Sequence, residues 1–314
     1  MSDRPENSSV AAGLPSTAPI ERNSSGSILP KPDDFKALLF YLAGVALLSV
    51  MDATIKDVAG RYPTPEVGFM RNVSGLVVIS VICAILRPGW PTRQMLFVNG
   101  IRSGLTAVLA LTFFFSLAAL PLAEAVALSF LSPTFLALFG AWLLKERLSP
   151  RIGVSLGVGF LGVLIIVSGQ IGGRSYGPWA LAGAACAFAS AVIYALSMVL
   201  LKSRARTDPI PLIVLVLHLG TTLILLVPAL LVWKVPPPRD LLVFSATGVL
   251  GVGGHLFLAN AFARSQAARL APFEYTALIW AAGIGYAVFG EVPGWATILG
   301  AVFIVASAII ANRA

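Results

Sequence analysis

The sequence predicts an all-α integral membrane protein with ten transmembrane helices, arranged as two inverted five-helix repeats. Three observations carry that expectation. Charged residues make up 11% of the 314 residues and hydrophobic residues 57%, whereas a soluble chain carries roughly 25% charge. After Lys36, charges divide the chain into apolar runs near the length that crosses about 30 Å of hydrocarbon at about 1.5 Å per residue. A late stretch also echoes an earlier one. No run alternates with the period of two that a membrane barrel needs, so the spans read as helices.

Residues 1–33 are rich in Ser, Pro and Asn with mixed charge, which predicts a disordered tail without an apolar run of signal-peptide length. Ten apolar segments follow, near 36–58, 64–86, 94–119, 121–144, 152–170, 178–201, 209–233, 240–263, 270–290 and 292–312. The clearest hairpin joins the fourth and fifth. Ala125 to Leu144 and Ile152 to Gly173 carry no charge, and between them lies Lys145-Glu146-Arg147-Leu148-Ser149-Pro150-Arg151. A charged, proline-containing connector between two such runs is a turn in water. Its basic residues place it on the cytoplasmic side.

With the N-terminus inside, inner ends hold Lys31, Lys36, Arg87, Arg93, Lys145, Arg147, Arg151, Lys202, Arg204, Arg206, Arg264, Arg269 and Arg313. Outer ends hold only Lys56, Arg61, Arg174, Lys234 and Arg239. That bias predicts a multi-pass membrane protein with both termini cytoplasmic. It also accounts for the net charge of +8 without a nucleic-acid partner.

The repeat is visible in Ala118 to Val167 and again in Ala263 to Ile310. Each holds a short polar start, a helix with small residues, an acidic turn (Glu146, then Glu291) and a Gly-rich last helix. The expected halves are residues 34–171 and 172–314. Five helices is an odd number, so the second copy enters the membrane from the opposite face. Inverted repeats are the architecture of secondary transporters, with a ligand site near the midplane where the halves meet.

Ionisable groups inside a bilayer are costly and are expected to face a cavity or a partner. Asp52 and Lys56 stand four apart on one helix face and can pair there. With Glu66 and Arg71 they define a candidate outer-half charge network, either opening with the cavity or statically locking the first helix to the second. Arg102 lies about nine residues into its segment, near mid-membrane. An anionic ligand and snorkelling to the inner interface compete as explanations for it. His218 and His255 are each a proton carrier or a hydrogen-bonded structural residue, and the glycines and Asn260 around His255 favour it. Glu274, just after Pro272, is an acid at a helix start or a proton site. Phe113, Phe114, Phe115, Phe130, Tyr194, Tyr275 and Trp280 are aromatics for stacking a planar ligand or for packing. The candidates for substrate contact are Arg102, Tyr194, His255 and Trp280. Those for gating or coupling are Asp52, Lys56, Arg71 and Glu274.

Other chemistry finds no footing. Gly157-Val158-Gly159-Phe160-Leu161-Gly162 matches a dinucleotide fingerprint, but it sits mid-helix with no preceding strand. Its glycines read as helix-contact residues. Cys83 and Cys186 are the only cysteines and lie in apolar windows, so neither zinc nor a disulfide framework is indicated. No nucleophile, acid-base or metal constellation can be assembled, so no catalytic residue, metal or cofactor is assigned.

The run Ala123 to Val167 and its echo at Leu270 to Ile310 resemble the two EamA repeats of the drug/metabolite transporter superfamily. Asp52-Ala53-Thr54-Ile55-Lys56 followed by Glu66-Val67-Gly68-Phe69-Met70-Arg71 resembles the opening of bacterial members, some of which move S-adenosylmethionine, riboflavin or amino acids. The resemblance covers nearly everything after residue 34. It implies ten helices, cytoplasmic termini, a central cavity lined mainly by the first, third, fourth, sixth, eighth and ninth helices, and alternating access. It does not imply a substrate. The expected partners are a small polar or planar metabolite and the lipid bilayer, with a homodimer left open. A membrane assembly subunit and a membrane-embedded enzyme are the rival classes; the short, nearly bare outer loops argue against the enzyme.

Overall fold

The computed structural model of the chain describes residues 32–59, 61–119, 128–168, 179–289 and 295–312. Most of the N-terminal tail, the expected join near 171–172, Glu291 and the side chain of Lys56 lie outside the described residues. Among the described residues every regular element is helical.

The helices are α1 (Pro32–Ala59), α2 (Thr64–Leu86), α3 (Arg93–Ala119), α4 (Ser132–Leu143) and α5 (Pro150–Ser168) in the first half. The second half holds α6 (Ala180–Ala205), α7 (Ile210–Leu231), α8 (Pro238–Arg264), α9 (Thr276–Phe289) and α10 (Trp295–Asn312). A short helical turn at Ala267–Leu270 and a 3₁₀ turn at Ala271–Tyr275 lead into α9. Six of these, α1, α2, α3, α6, α7 and α8, carry apolar stretches long enough to cross a membrane within their described residues.

Local sequence explains the boundaries. Proline falls in the first turn of α2, α4, α7 and α8, where its missing N–H is not needed and its φ suits the helix. At the end of α4, the N–H groups of Leu144 and Glu146 both donate to the Gly140 carbonyl at 3.1 and 3.2 Å, and Lys145 takes the left-handed conformation at φ 54°. That turn fixes where the Glu146 carboxylate goes.

The helices pair across the halves in a symmetric pattern. α1 packs on α8 as α3 packs on α6; α2 packs on α8 as α3 packs on α7; α4 packs on α6 as α1 packs on α9. The contacts α2–α7 and α5–α10 are their own counterparts. Exchanging helix n with helix n+5 maps this set onto itself, as a pseudo-two-fold between inverted repeats requires. The α5–α10 seam shows it at atomic scale. Ser155 Oγ donates to the Ser307 carbonyl at 2.7 Å, and Ser307 Oγ to the Ser155 carbonyl at 2.8 Å. Gly162 allows this approach, since a Cβ there would stand 2.8 Å from the Gly300 carbonyl oxygen.

Burial is inverted relative to a soluble protein. Along α2, Val77, Val81 and Ile85 are all exposed, Ile85 at 74%, while Asn72 on the same helix is buried. On α7, Leu219, Leu223, Val227 and Leu230 are exposed while His218, Thr221 and Thr222 are buried. An apolar outside around a polar inside is stable only in lipid. The chain is a multi-pass membrane protein.

Candidate functional site

The buried polar groups converge from both halves. Glu274 of the 3₁₀ turn is the hub: its Oε1 accepts a hydrogen bond from Tyr194 Oη of α6 at 2.7 Å, and its Oε2 accepts one from Tyr41 Oη of α1. One carboxylate thus ties the first half to the second. A carboxylate accepting two phenolic O–H groups in low dielectric is a charge-assisted arrangement, stronger than a neutral pair.

Around this hub, Asp52 on α1 lies within electrostatic reach of Arg71 and of Glu274, and Tyr194 within reach of Asp52 and Arg102. Among the ion pairs of the described residues, none joins Asp52 to Arg71. Gly251 of α8 packs against Met51, whose Sδ stands 3.2 Å from where a Cβ would be, with the Arg71 Nε at an ordinary contact distance of 3.7 Å. Arg102 of α3 is 1% exposed, and its Nε and Nη1 have no hydrogen-bond partner among the described residues. Two histidines complete the centre. The rings of His218 (α7) and His255 (α8) meet edge to face at 5.8 Å. They are 3% and 8% exposed, each Nδ1 lacks a partner, and both rings lie within electrostatic reach of Arg71 and Arg102. Gly75 of α2 gives His218 its room, because any Cβ at that position would overlap the ring.

Of the sequence candidates, Asp52, Arg71, Arg102, Tyr194, His255 and Glu274 therefore come together. Trp280 does not join them: it is 43% exposed and makes no ring contact or hydrogen bond with this cluster among the described residues. Lys56 contributes nothing that can be described. Glu66 departs from the expected outer network with Arg71. Its carboxylate is fully buried and accepts the backbone N–H of Lys234 at 3.0 Å, so it serves the join between α7 and α8. Arg102 does not snorkel. The expected aromatic lining is largely packing: Phe130 stacks on Tyr275 at 6.1 Å, and Tyr275 fills the space left by Gly159.

Tyr41 escaped the sequence reading although a signal existed. It stands eleven residues before Asp52, about three helical turns, and so on the same face. His218 was undervalued because nothing in the local sequence shows that it meets His255.

Each end of the molecule carries its own polar closure. At one end, Glu146 accepts the N–H groups of Ala267 and Ala268 at 3.2 and 3.1 Å, capping the short turn that precedes Glu274. Lys202, 8% exposed, donates to the carbonyls of Phe262, at 2.5 Å, and Ser265. Arg206 Nε donates to the Ala263 carbonyl at 3.0 Å, and Arg269 pairs with Asp34 at 2.8 Å. The α8–α9 connection is thus pinned by residues of α1, α6 and the α4–α5 turn. At the other end, Tyr62 Oη donates to Asp240 at 2.6 Å, and Arg61 pairs with the same carboxylate at 3.2 Å. That hydrogen bond raises the Tyr62 phenol to about 12. Small hollows lie beside both closures, one lined by Asp34, Ser265, Arg269 and Phe273, the other by Tyr62, Thr64, Val67 and Phe114.

Comparison with known proteins agrees with this architecture. The sequence profile of the EamA-like transporter family matches residues 35–168 and again 181–313. The chain is 32% identical over 275 residues to the pseudopaline exporter of Pseudomonas aeruginosa, covering 84% of this chain and 92% of the exporter. It is 25% identical over 277 residues to the S-adenosylmethionine uptake transporter of Rickettsia prowazekii, covering 86% and 92% of the two chains. A solved crystal structure with 22% sequence identity superposes with a TM-score of 0.76, covering 88% of this chain and 97% of that one, and so shares its fold.

Proposed function

The chain belongs to the EamA-like transporter family, and on that premise we propose that it is a secondary transporter of the cell inner membrane. It moves a small polar metabolite by alternating access around the centre formed by Asp52, Arg71, Arg102, Tyr194, His255 and Glu274. Both termini face the cytoplasm, so the closure at Glu146 and Lys202 is the inner gate and that at Tyr62 and Asp240 the outer one.

The observation that carries this reading is the Glu274 hub. A carboxylate held by Tyr41 from one half and Tyr194 from the other stabilises the closed arrangement of the halves. A ligand group or a proton that competes for the carboxylate loosens that tie. An equilibrium between two arrangements shifts only by as much as the ligand discriminates between them, and a buried group shared by both halves is where such discrimination arises. A pure assembly subunit has no use for two arginines, two histidines and a carboxylate shared by both halves at the interface of its repeats, since a charge placed inside a bilayer is costly.

The test is tracer counterflow in proteoliposomes preloaded with amino acids or S-adenosylmethionine. Accumulation above protein-free liposomes is expected for at least one compound. Glu274→Gln, which keeps one acceptor oxygen, turns the other into an NH2 donor and removes the charge, is expected to lower its rate by about tenfold or more, corresponding to about 1.4 kcal/mol. Wild-type rates in Glu274→Gln remove the hub from the mechanism.

A further inference from the structure

Resting on the transporter reading, we infer that Arg102, His218 and His255 form a subsite for a carboxylate group of the transported molecule. Arg102 sits at 1% exposure with two nitrogens unpartnered, and no carboxylate pairs with it among the described residues. An arginine is always charged and carries five N–H donors, so a structural role would give it an acid, a carbonyl or a path to the interface. Instead its surroundings are organised to leave it open. One turn before it, Asn99 directs its amide to the Met95 carbonyl and leaves Oδ1 unpartnered. Next to it, the Ser103 hydroxyl is taken up by the Asn99 carbonyl of its own helix at 2.8 Å and lies 3.2 and 3.3 Å from the Val216 and Leu217 carbonyls of α7.

The histidines supply the second, independent observation. Two buried imidazoles from α7 and α8 each lack a partner at Nδ1, and an unsatisfied buried polar atom is unfavourable and uncommon in a finished structure. A neutral imidazole with its proton on Nδ1 donates, as the guanidinium does. With the Nδ1–H tautomer, nitrogens on α3, α7 and α8 can all donate to one acceptor, and none of them has a partner among the described residues. Tyr194 is within electrostatic reach of the acids Glu274 and Asp52 and of Arg102.

Charge balance selects the acceptor. Arg71 and Arg102 against Asp52 and Glu274 give two positive and two negative groups, so the centre is formally neutral with both imidazoles uncharged. A carboxylate adds one negative charge beside Arg102, which a second, cationic group of the same molecule offsets beside the acids. A phosphate dianion leaves excess charge in low dielectric. The subsite therefore suits a carboxylate better than a phosphate dianion.

The chain contains only two histidines, and both lie at this subsite, so histidine is a site-specific probe. Protein labelled with ¹⁵N-histidine, purified through a tag without histidine and held in nanodiscs, gives imidazole signals assigned with His218→Gln and His255→Gln. Sodium acetate is titrated against sodium chloride at matched ionic strength, and sodium phosphate in a separate arm. The expected result is a saturable shift of both rings with acetate, none with chloride, and weaker or no saturation with phosphate. In Arg102→Gln the acetate shift is lost, and in Arg102→Lys it is retained at higher concentration. Acetate shifts no larger than those of chloride in the wild-type protein overturn the proposal, whatever the variants do. Phosphate saturating below acetate overturns its assignment to a carboxylate. Shifts without tracer counterflow refute transport and leave the subsite standing; counterflow without shifts does the reverse.

Discussion

Glu146 offers the sharpest test of the inner gate. Its carboxylate accepts two backbone N–H groups, those of Ala267 and Ala268, which are otherwise orphan donors at the start of a helical turn. In Glu146→Ala both lose their acceptor. Helix caps are worth about 0.5–2 kcal/mol; the side chain is half-buried, which screens part of the charge contribution and places the loss near 1–2 kcal/mol. That is a factor of about 5–30 in the local opening equilibrium. Hydrogen exchange read at Ala267 and Ala268 in the detergent-solubilised protein should accelerate by that factor in Glu146→Ala and by less in Glu146→Gln. Amides at the middle of α7 should be unchanged. Unchanged protection at Ala267 and Ala268 with the protein folded refutes the cap, and with it the idea that the α4–α5 turn holds the gate shut.

Three further outcomes follow from particular contacts. Gly75→Ala places a methyl group inside the His218 ring, and thermal unfolding should show a loss of about 1–3 kcal/mol; Gly100→Ala, whose Cβ meets nothing within 4 Å, should be neutral or stabilising. Ser155 Oγ and Ser307 Oγ also stand 3.1 Å apart, so a double-mutant cycle of Ser155→Ala and Ser307→Ala should give a coupling of about 0.6 kcal/mol and at most about 1.7; strict additivity contradicts that side-chain contact. For Tyr62, the folded phenol titrates near 12 against 10.0 for the free group. A raised pKa contributes stability that is fully present below about pH 10 and lost as pH rises towards 12. The thermal advantage of wild type over Tyr62→Phe should shrink across that window, and an advantage that grows there contradicts the assigned hydrogen bond.

How much of this was legible beforehand depended on sequence distance. Apolar run length and the small-residue stripes of α5 and α10 are local properties, so the helix count and the repeat could be read directly. Glu146 was visible as an acidic turn repeated near Glu291, but its partners lie about 120 residues away and are backbone groups, which carry no sequence signature. Lys202 read as one more basic residue at an inner helix end. In three dimensions it is buried and holds the far end of α8, because its stem is long enough to cover apolar surface while its ammonium finds carbonyls. Glu66 differs for a related reason: its place in the sequence suggests a charge network with Asp52, Lys56 and Arg71, whereas a backbone N–H of Lys234 supplies its partner. Arg102 was recognised as buried; that it would remain unpaired required the whole bundle.

The account centres on a polar site between the halves that opens to each side of the membrane in turn. Cysteine accessibility measures this without knowledge of the cargo. In a background with Cys83→Ala and Cys186→Ala, a single Asp52→Cys is probed in sealed vesicles with a membrane-impermeant thiol reagent applied from either side. Asp52 has open surface and belongs to the centre, so labelling from both sides is predicted, faster from the inside when Glu146→Ala is added. Labelling from one side only, unaffected by Glu146→Ala, contradicts alternating access at this site.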